Sequence, residues 1–113
     1  MKVSEPQSFH VAKLRQAFGV TQAAFGRLTG FSPRTVAALE HGAIPSHAAA
    51  RKLAETARLK DTLLRVMPRE KLPGWLDTPN RAFDGLKPLE VIERGQADRL
   101  WRMIYELESW QPA

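Results

Sequence analysis

The residues with the most chemistry to offer lie between Val20 and Gly42, in VTQAAFGRLTGFSPRTVAALEHG. Once Val36 and Leu39 are turned inward as a pair three residues apart, Arg34, Thr35, Ala38 and His41 are left on the outer side. That is binding chemistry: a helix whose N-terminal polar residues are free can enter the major groove of DNA. Catalytic constellations are absent. His10, His41 and His47 show no paired ligand spacing, cysteine does not occur, and Glu90 and Glu93 stand a turn apart as solvated carboxylates do. Without a glycine-rich phosphate loop or a supported Ser, His and Asp set, the chain is expected to be no enzyme and to need neither metal nor cofactor.

Positioning that outer face requires two short helices and a tight turn. Thr21 caps the first, whose body runs from Gln22 to Thr29, and Gly30 supplies the left-handed residue that ends it. Ser32 caps the second, Pro33 takes its first position, and Gly42 closes it. The turn between them is about three residues long, as in a helix-turn-helix. Phe25 and Leu28 on the first helix face Val36 and Leu39 on the second, Phe31 fills the turn, and Gly26 marks a close approach that a side chain would prevent.

The Thr-Gln opening, the small residue four positions after the Gln and the terminal Gly resemble the Xre or Cro-type helix-turn-helix, on Thr21, Gln22, Gly26, Gly30 and Ser32. The resemblance implies that Gln22 touches a phosphate and that Ser32, Arg34 and Thr35 face DNA. Ala37 and Ala38 leave the middle of the recognition helix poor in hydrogen-bonding groups, so readout should lean on few residues, phosphate contacts and DNA shape.

The remaining chain reads as further helices. Met1 to Gln7 is expected to be a loose arm, Ser8 a cap, and Phe9 to Phe18 a supporting helix with Val11, Leu14 and Phe18 inward and Gly19 at its end. After Pro45 and a capping Ser46, His47 to Met67 is a long helix stopped by Pro68. Its buried stripe is expected along Leu53, Ala57, Leu64 and Met67, with Ala54 and Leu63 beside it. Arg51, Lys52, Arg58, Lys60, Arg65 and Arg69 run along its outside as a solvated basic face. Thr78 and Pro79 open a short helix to Phe83, Pro88 opens another that Gly95 closes, and Gln96 to Trp110 forms the last.

The fold class is therefore all-α: an N-terminal helix-turn-helix bundle over residues 1–70, followed by a small helical domain over 71–113. With 113 residues, the two would share a core. The first 70 residues carry 11 Lys or Arg against 5 Asp or Glu, while the remainder carries 6 against 7. That asymmetry suits a polyanion at one end and a protein at the other. No run approaches the roughly 20 apolar residues that span a bilayer, and MKVSEPQSF has no signal-peptide character, so a cytoplasmic protein without membrane contact is expected.

The second half also resembles a known domain. Trp75, Leu76, Pro79, Asn80, Phe83, Gly85, Pro88, Leu89 and Gly95, with the terminal helix, resemble the toxin-binding domain of the Xre/MbcA/ParS antitoxin family. The resemblance implies a type II antitoxin that covers the active site of a RES-fold toxin, one that consumes NAD or transfers ADP-ribose from it. It also implies a homodimer that binds its own operator DNA. Asn80, Arg81 and Trp110 are the expected toxin contacts. Trp110 is chosen because an aromatic near the chain end has little of its own domain to pack against, whereas Trp75, Leu76, Phe83 and Trp101 are expected in the core. The alternative is a free-standing dimeric repressor whose second half only dimerises.

Overall fold

The computed structural model describes residues 7–109, with side chains from Val11 onward, and all the regular structure among them is helical. Seven α-helices follow one another: α1 (Gln7–Phe18), α2 (Gln22–Thr29), α3 (Pro33–Glu40), α4 (His47–Val66), α5 (Leu72–Leu76), α6 (Pro88–Glu93) and α7 (Ala97–Ser109). Single 3-10 turns, Arg69–Lys71 and Arg81–Phe83, precede and follow α5. Among the described residues no helix is long and apolar enough to cross a membrane.

The helix ends follow from local chemistry. Thr21, Ser32 and Ser46 each accept a hydrogen bond from the backbone amide three residues on, satisfying an amide that the helix itself leaves open. Gly30 sits at φ 85°, where a left-handed residue lets its own N–H reach Gly26 O and finish α2. α1 begins at Gln7, earlier than the expected Phe9, so Ser8 lies inside the first turn and is no cap.

Packing puts one hydrophobic core through both halves of the chain. Phe18, Phe25 and Val36 are buried in the first half, Leu59 and Leu63 on α4, and Leu72, Leu76, Phe83, Leu100 and Ile104 in the second. α1 and α2 pack on α3, α2 also on α6, and α4 spans α1, α2 and α7. An Arg27–Glu93 ion pair at 2.9 Å joins α2 to α6 across the surface.

Two further expectations are corrected. The line α4 buries most deeply is Thr56, Leu59, Thr62 and Leu63, while Leu53, Ala57, Leu64 and Met67 are half-buried and Ala54 is exposed. An apolar count misses that line because two of its members are threonines. Their hydroxyls donate to Lys52 O and Arg58 O one turn back, so burial leaves no polar group unpaired. Thr78 and Pro79 do not open a helix: Thr78 Oγ1 donates back to Gly74 O, and Asn80 caps only the 3-10 turn that ends at Phe83. The helix in this region is instead α5, whose Pro73 lies in its first turn, where a missing N–H costs nothing.

Candidate nucleic-acid interface and protein-docking face

The α2–α3 pair is locked from behind by one carboxylate. Arg15, near the end of α1, donates through Nε to Glu40 Oε2 at 2.6 Å and through Nη2 to Oε1 at 3.2 Å. Its Nη1 reaches Val20 O at 3.1 Å, in the turn before α2. Gln22 Nε2, at the start of α2, donates to the same Glu40 Oε1 at 2.9 Å. Glu40 ends α3, so this cluster ties the supporting helix, the turn and both helices of the motif into one unit. The Arg15 hydrogen bond, helped by Gln22 and opposed by burial, holds the Glu40 carboxyl below the usual carboxylate range.

Gly26 fixes the front of the motif. A Cβ there would stand 2.6 Å from the Phe31 carbonyl oxygen and 3.9 Å from Val36 Cγ2. The close approach read from the sequence is therefore between α2 and the backbone of the turn, with α3 just behind it.

On the outer side, Arg34 and Ala38 are exposed on α3, and His41, its C-cap, is exposed beyond them. Spaced four and then three residues apart, these form one stripe. Arg34 has no acidic partner among the described residues. Ser32 is spent on structure: its Oγ accepts from Thr35 N at 3.1 Å and donates to Thr35 Oγ1 at 3.0 Å. Thr35, half-buried, keeps its own hydroxyl proton for another acceptor. Gln22 has one amide hydrogen committed to Glu40, which leaves its second for a phosphate. The structure thus brings Arg34, Thr35 and Ser32 together and sets Gln22 behind them at the foot of the motif.

The expected basic run on α4 is partly neutralised. Lys52 pairs with Glu55 and Lys60 with Asp61, and Arg65 reaches Glu108 on α7 at 2.8 Å. Arg51 and Arg58 have no such acid among the described residues.

The expected protein contacts are scattered. Asn80 Oδ1 accepts from Ala82 N at 2.9 Å, which gives the side chain a local structural use, whereas Arg81 is exposed. Trp110 lies outside the described residues. Leu76 and Phe83 are buried, and Trp75 packs edge-on to Phe83 with ring centroids 6.5 Å apart. Trp101 is not in the core: it is 38% exposed, and Tyr105 and Leu107 on the same helix are 71% and 57% exposed. Only Leu100 and Ile104 of α7 reach full burial, because α4 and α6 cover a single narrow arc of it. Beneath its far end an open groove of about 640 Å³ is lined by Val66, Met67, Trp75, Met103 and Leu107, among others. The signal for this surface was in the sequence: α7 carries more large apolar residues than one buried stripe can hold.

No cluster of three or more His, Asp or Glu side chains that could hold a metal exists among the described residues.

The pattern of a helix-turn-helix domain family matches residues 9–67. The mycobacterial cidal antitoxin MbcA of Mycobacterium tuberculosis and of Mycobacterium bovis is 30% identical over 90 residues, spanning 79% of this chain and 80% of the relative. Among solved structures, a chain in the crystal structure of the M. tuberculosis MbcT–MbcA toxin–antitoxin complex superposes with a TM-score of 0.70 at 26% identity, over 91% of this chain and 94% of that one.

Proposed function

The chain belongs to the family of helix-turn-helix antitoxins that includes MbcA, and from that premise we propose that it neutralises a toxin and represses its own operon. The observation that carries the reading is the pairing of two open surfaces on one core. One is the Arg34, Ala38 and His41 stripe of α3, and the other is the exposed apolar side chains of α7.

In this reading α3 enters a major groove, with Arg34 and Thr35 toward the bases, Ser32 at the helix start and Gln22 on a phosphate. A homodimer would present two such helices about 34 Å apart, one turn of the duplex. The toxin sits on the second half. Trp101, Tyr105 and Leu107 give it apolar area, and Arg81, Asn80 and Trp110 complete the contact. By family resemblance the toxin has the RES fold and consumes NAD or transfers its ADP-ribose, and the antitoxin covers that active site. Catalysis belongs to the partner.

The test is to express the reading frame beside this gene with and without the protein, and to assay the purified pair for loss of NAD. Growth arrest and NAD loss that this protein reverses are the expected result. A harmless neighbour, with the protein still binding its promoter, would leave the free-standing repressor in place of the antitoxin.

A further inference from the structure

We propose that His41 is a DNA-phosphate contact that forms only when its imidazole is doubly protonated, so that duplex binding is coupled to proton uptake. This rests on the DNA-binding part of the reading above.

The tautomer is set by geometry. His41 Nδ1 lies 2.8 Å from Ala37 O, and a carbonyl oxygen can only accept, so Nδ1 carries a hydrogen. In the neutral ring Nε2 is then an acceptor, with nothing to offer a phosphate oxygen. A proton taken up from solvent turns Nε2 into a cationic donor while the Nδ1 bond to Ala37 is kept.

Position decides what the donor meets. His41 is exposed and continues the Arg34 and Ala38 line at helical spacing, so a duplex seated on that stripe runs past it. Charges on the neighbouring elements are few. Arg15 on α1 already holds Glu40, the facing group on α2 is the neutral amide of Gln22, and Arg34 stands two turns up the same stripe. Glu40 is thus the acidic neighbour of His41, already held by Arg15 and Gln22, and the exposed side of the ring is left for a phosphate. His47 is the other exposed imidazole in this region, at the start of α4, and serves as the control.

The experiment measures affinity of the full-length protein for two duplexes from about pH 8 to about pH 5.5, the range in which imidazoles titrate. One is the segment upstream of its own gene and the other a mixed-sequence duplex about three helical turns long. Wild type and His41→Ala are expected to bind equally at the alkaline end. At the acid end wild type should be tighter by about tenfold for each contact. Its salt dependence should also steepen there by about 0.9 in the log–log slope per contact, and His47→Ala should behave as wild type. Parallel pH curves for wild type and His41→Ala, whatever their separation, overturn the proposal. So does wild-type binding that weakens in acid relative to the variant, which would make Nε2 an acceptor from a base amino group. Wild type that binds neither duplex at any pH overturns the DNA reading itself.

Discussion

Arg15 and Glu40, 25 residues apart in sequence, meet through two hydrogen bonds of 2.6 and 3.2 Å, and this contact holds the end of α3 to the end of α1. The carboxylate side chain is 9% exposed and the guanidinium 22%, so water screens the pair less than it does a surface ion pair. Replacing Glu40 with Gln removes the charge and leaves Arg15 half-buried beside a weaker acceptor. The expected loss is about 2 kcal/mol of unfolding free energy at neutral pH.

The same pair makes that loss depend on pH. In the folded chain the Glu40 carboxyl ionises below its ordinary value, with the Arg15 hydrogen bond as the first cause. A depressed folded pKa means that the unfolded state binds the proton more tightly. The stabilisation is therefore complete above the unfolded value of about 4.3 and disappears as pH falls through the folded value. Urea unfolding of wild type and Glu40→Gln should show two curves that converge in acid. A constant gap down to the lowest pH reached would mean that the carboxylate charge contributes nothing.

Gly26→Ala tests the packing in front of the pair. The new methyl would lie 2.6 Å from Phe31 O, a backbone atom inside a three-residue turn that cannot swing aside as a side chain would. The helix-propensity gain of Ala over Gly, about 1 kcal/mol, is outweighed by the clash, giving a net loss of about 2 kcal/mol. Thermal unfolding should show a lowered midpoint. An unchanged or raised midpoint would mean that the turn relaxes freely and that Gly26 is not what sets the approach of α2.

Much of this is legible in the sequence. Thr21, Gly30, Ser32 and Pro33 mark helix ends by their backbone chemistry alone, and Phe25, Leu28, Val36 and Leu39 fall where their spacing places them. What escaped depended on partners far away in sequence. The Arg15–Glu40–Gln22 cluster joins three separate elements that no local pattern connects. The threonines buried on α4 are satisfied by carbonyls of their own helix, which polarity ranks as surface. Size alone places Trp101 in the core, but Leu100 and Ile104 already fill the arc of α7 that α4 and α6 cover, and Trp101 lies on its flank.

Arg34→Ala should separate the two proposed activities. The side chain is exposed and makes no ion pair among the described residues, so the fold loses little, within about 0.5 kcal/mol. Operator affinity should fall by about tenfold and the log–log salt slope should drop by about 1 if the guanidinium neutralises a phosphate. Toxin neutralisation should be unchanged. Equal operator affinity for wild type and variant would remove Arg34 from the reading face.

The protein-docking face is tested by comparing the body of α7 with the chain end. Tyr105 is 71% exposed and Trp101 38% exposed, so Tyr105→Ala leaves folding nearly untouched, while Trp101→Ala also loses packing beside α4 and is read against a measured unfolding curve. If the toxin seats on these side chains, each truncation should weaken the complex by tenfold or more, about 1.4 kcal/mol, as buried aromatic anchors do. Operator binding should be kept. Deleting residues 109–113 is the complementary variant, because it removes Trp110 and spares the rest of α7. Co-expression with the neighbouring toxin reports both. Full protection by the shortened protein, together with failure of the Tyr105 variant, would place the contact on the helix body. Protection by the Tyr105 and Trp101 variants, together with failure of the shortened protein, would place it on the chain end and remove the exposed apolar side chains of α7 from the interface.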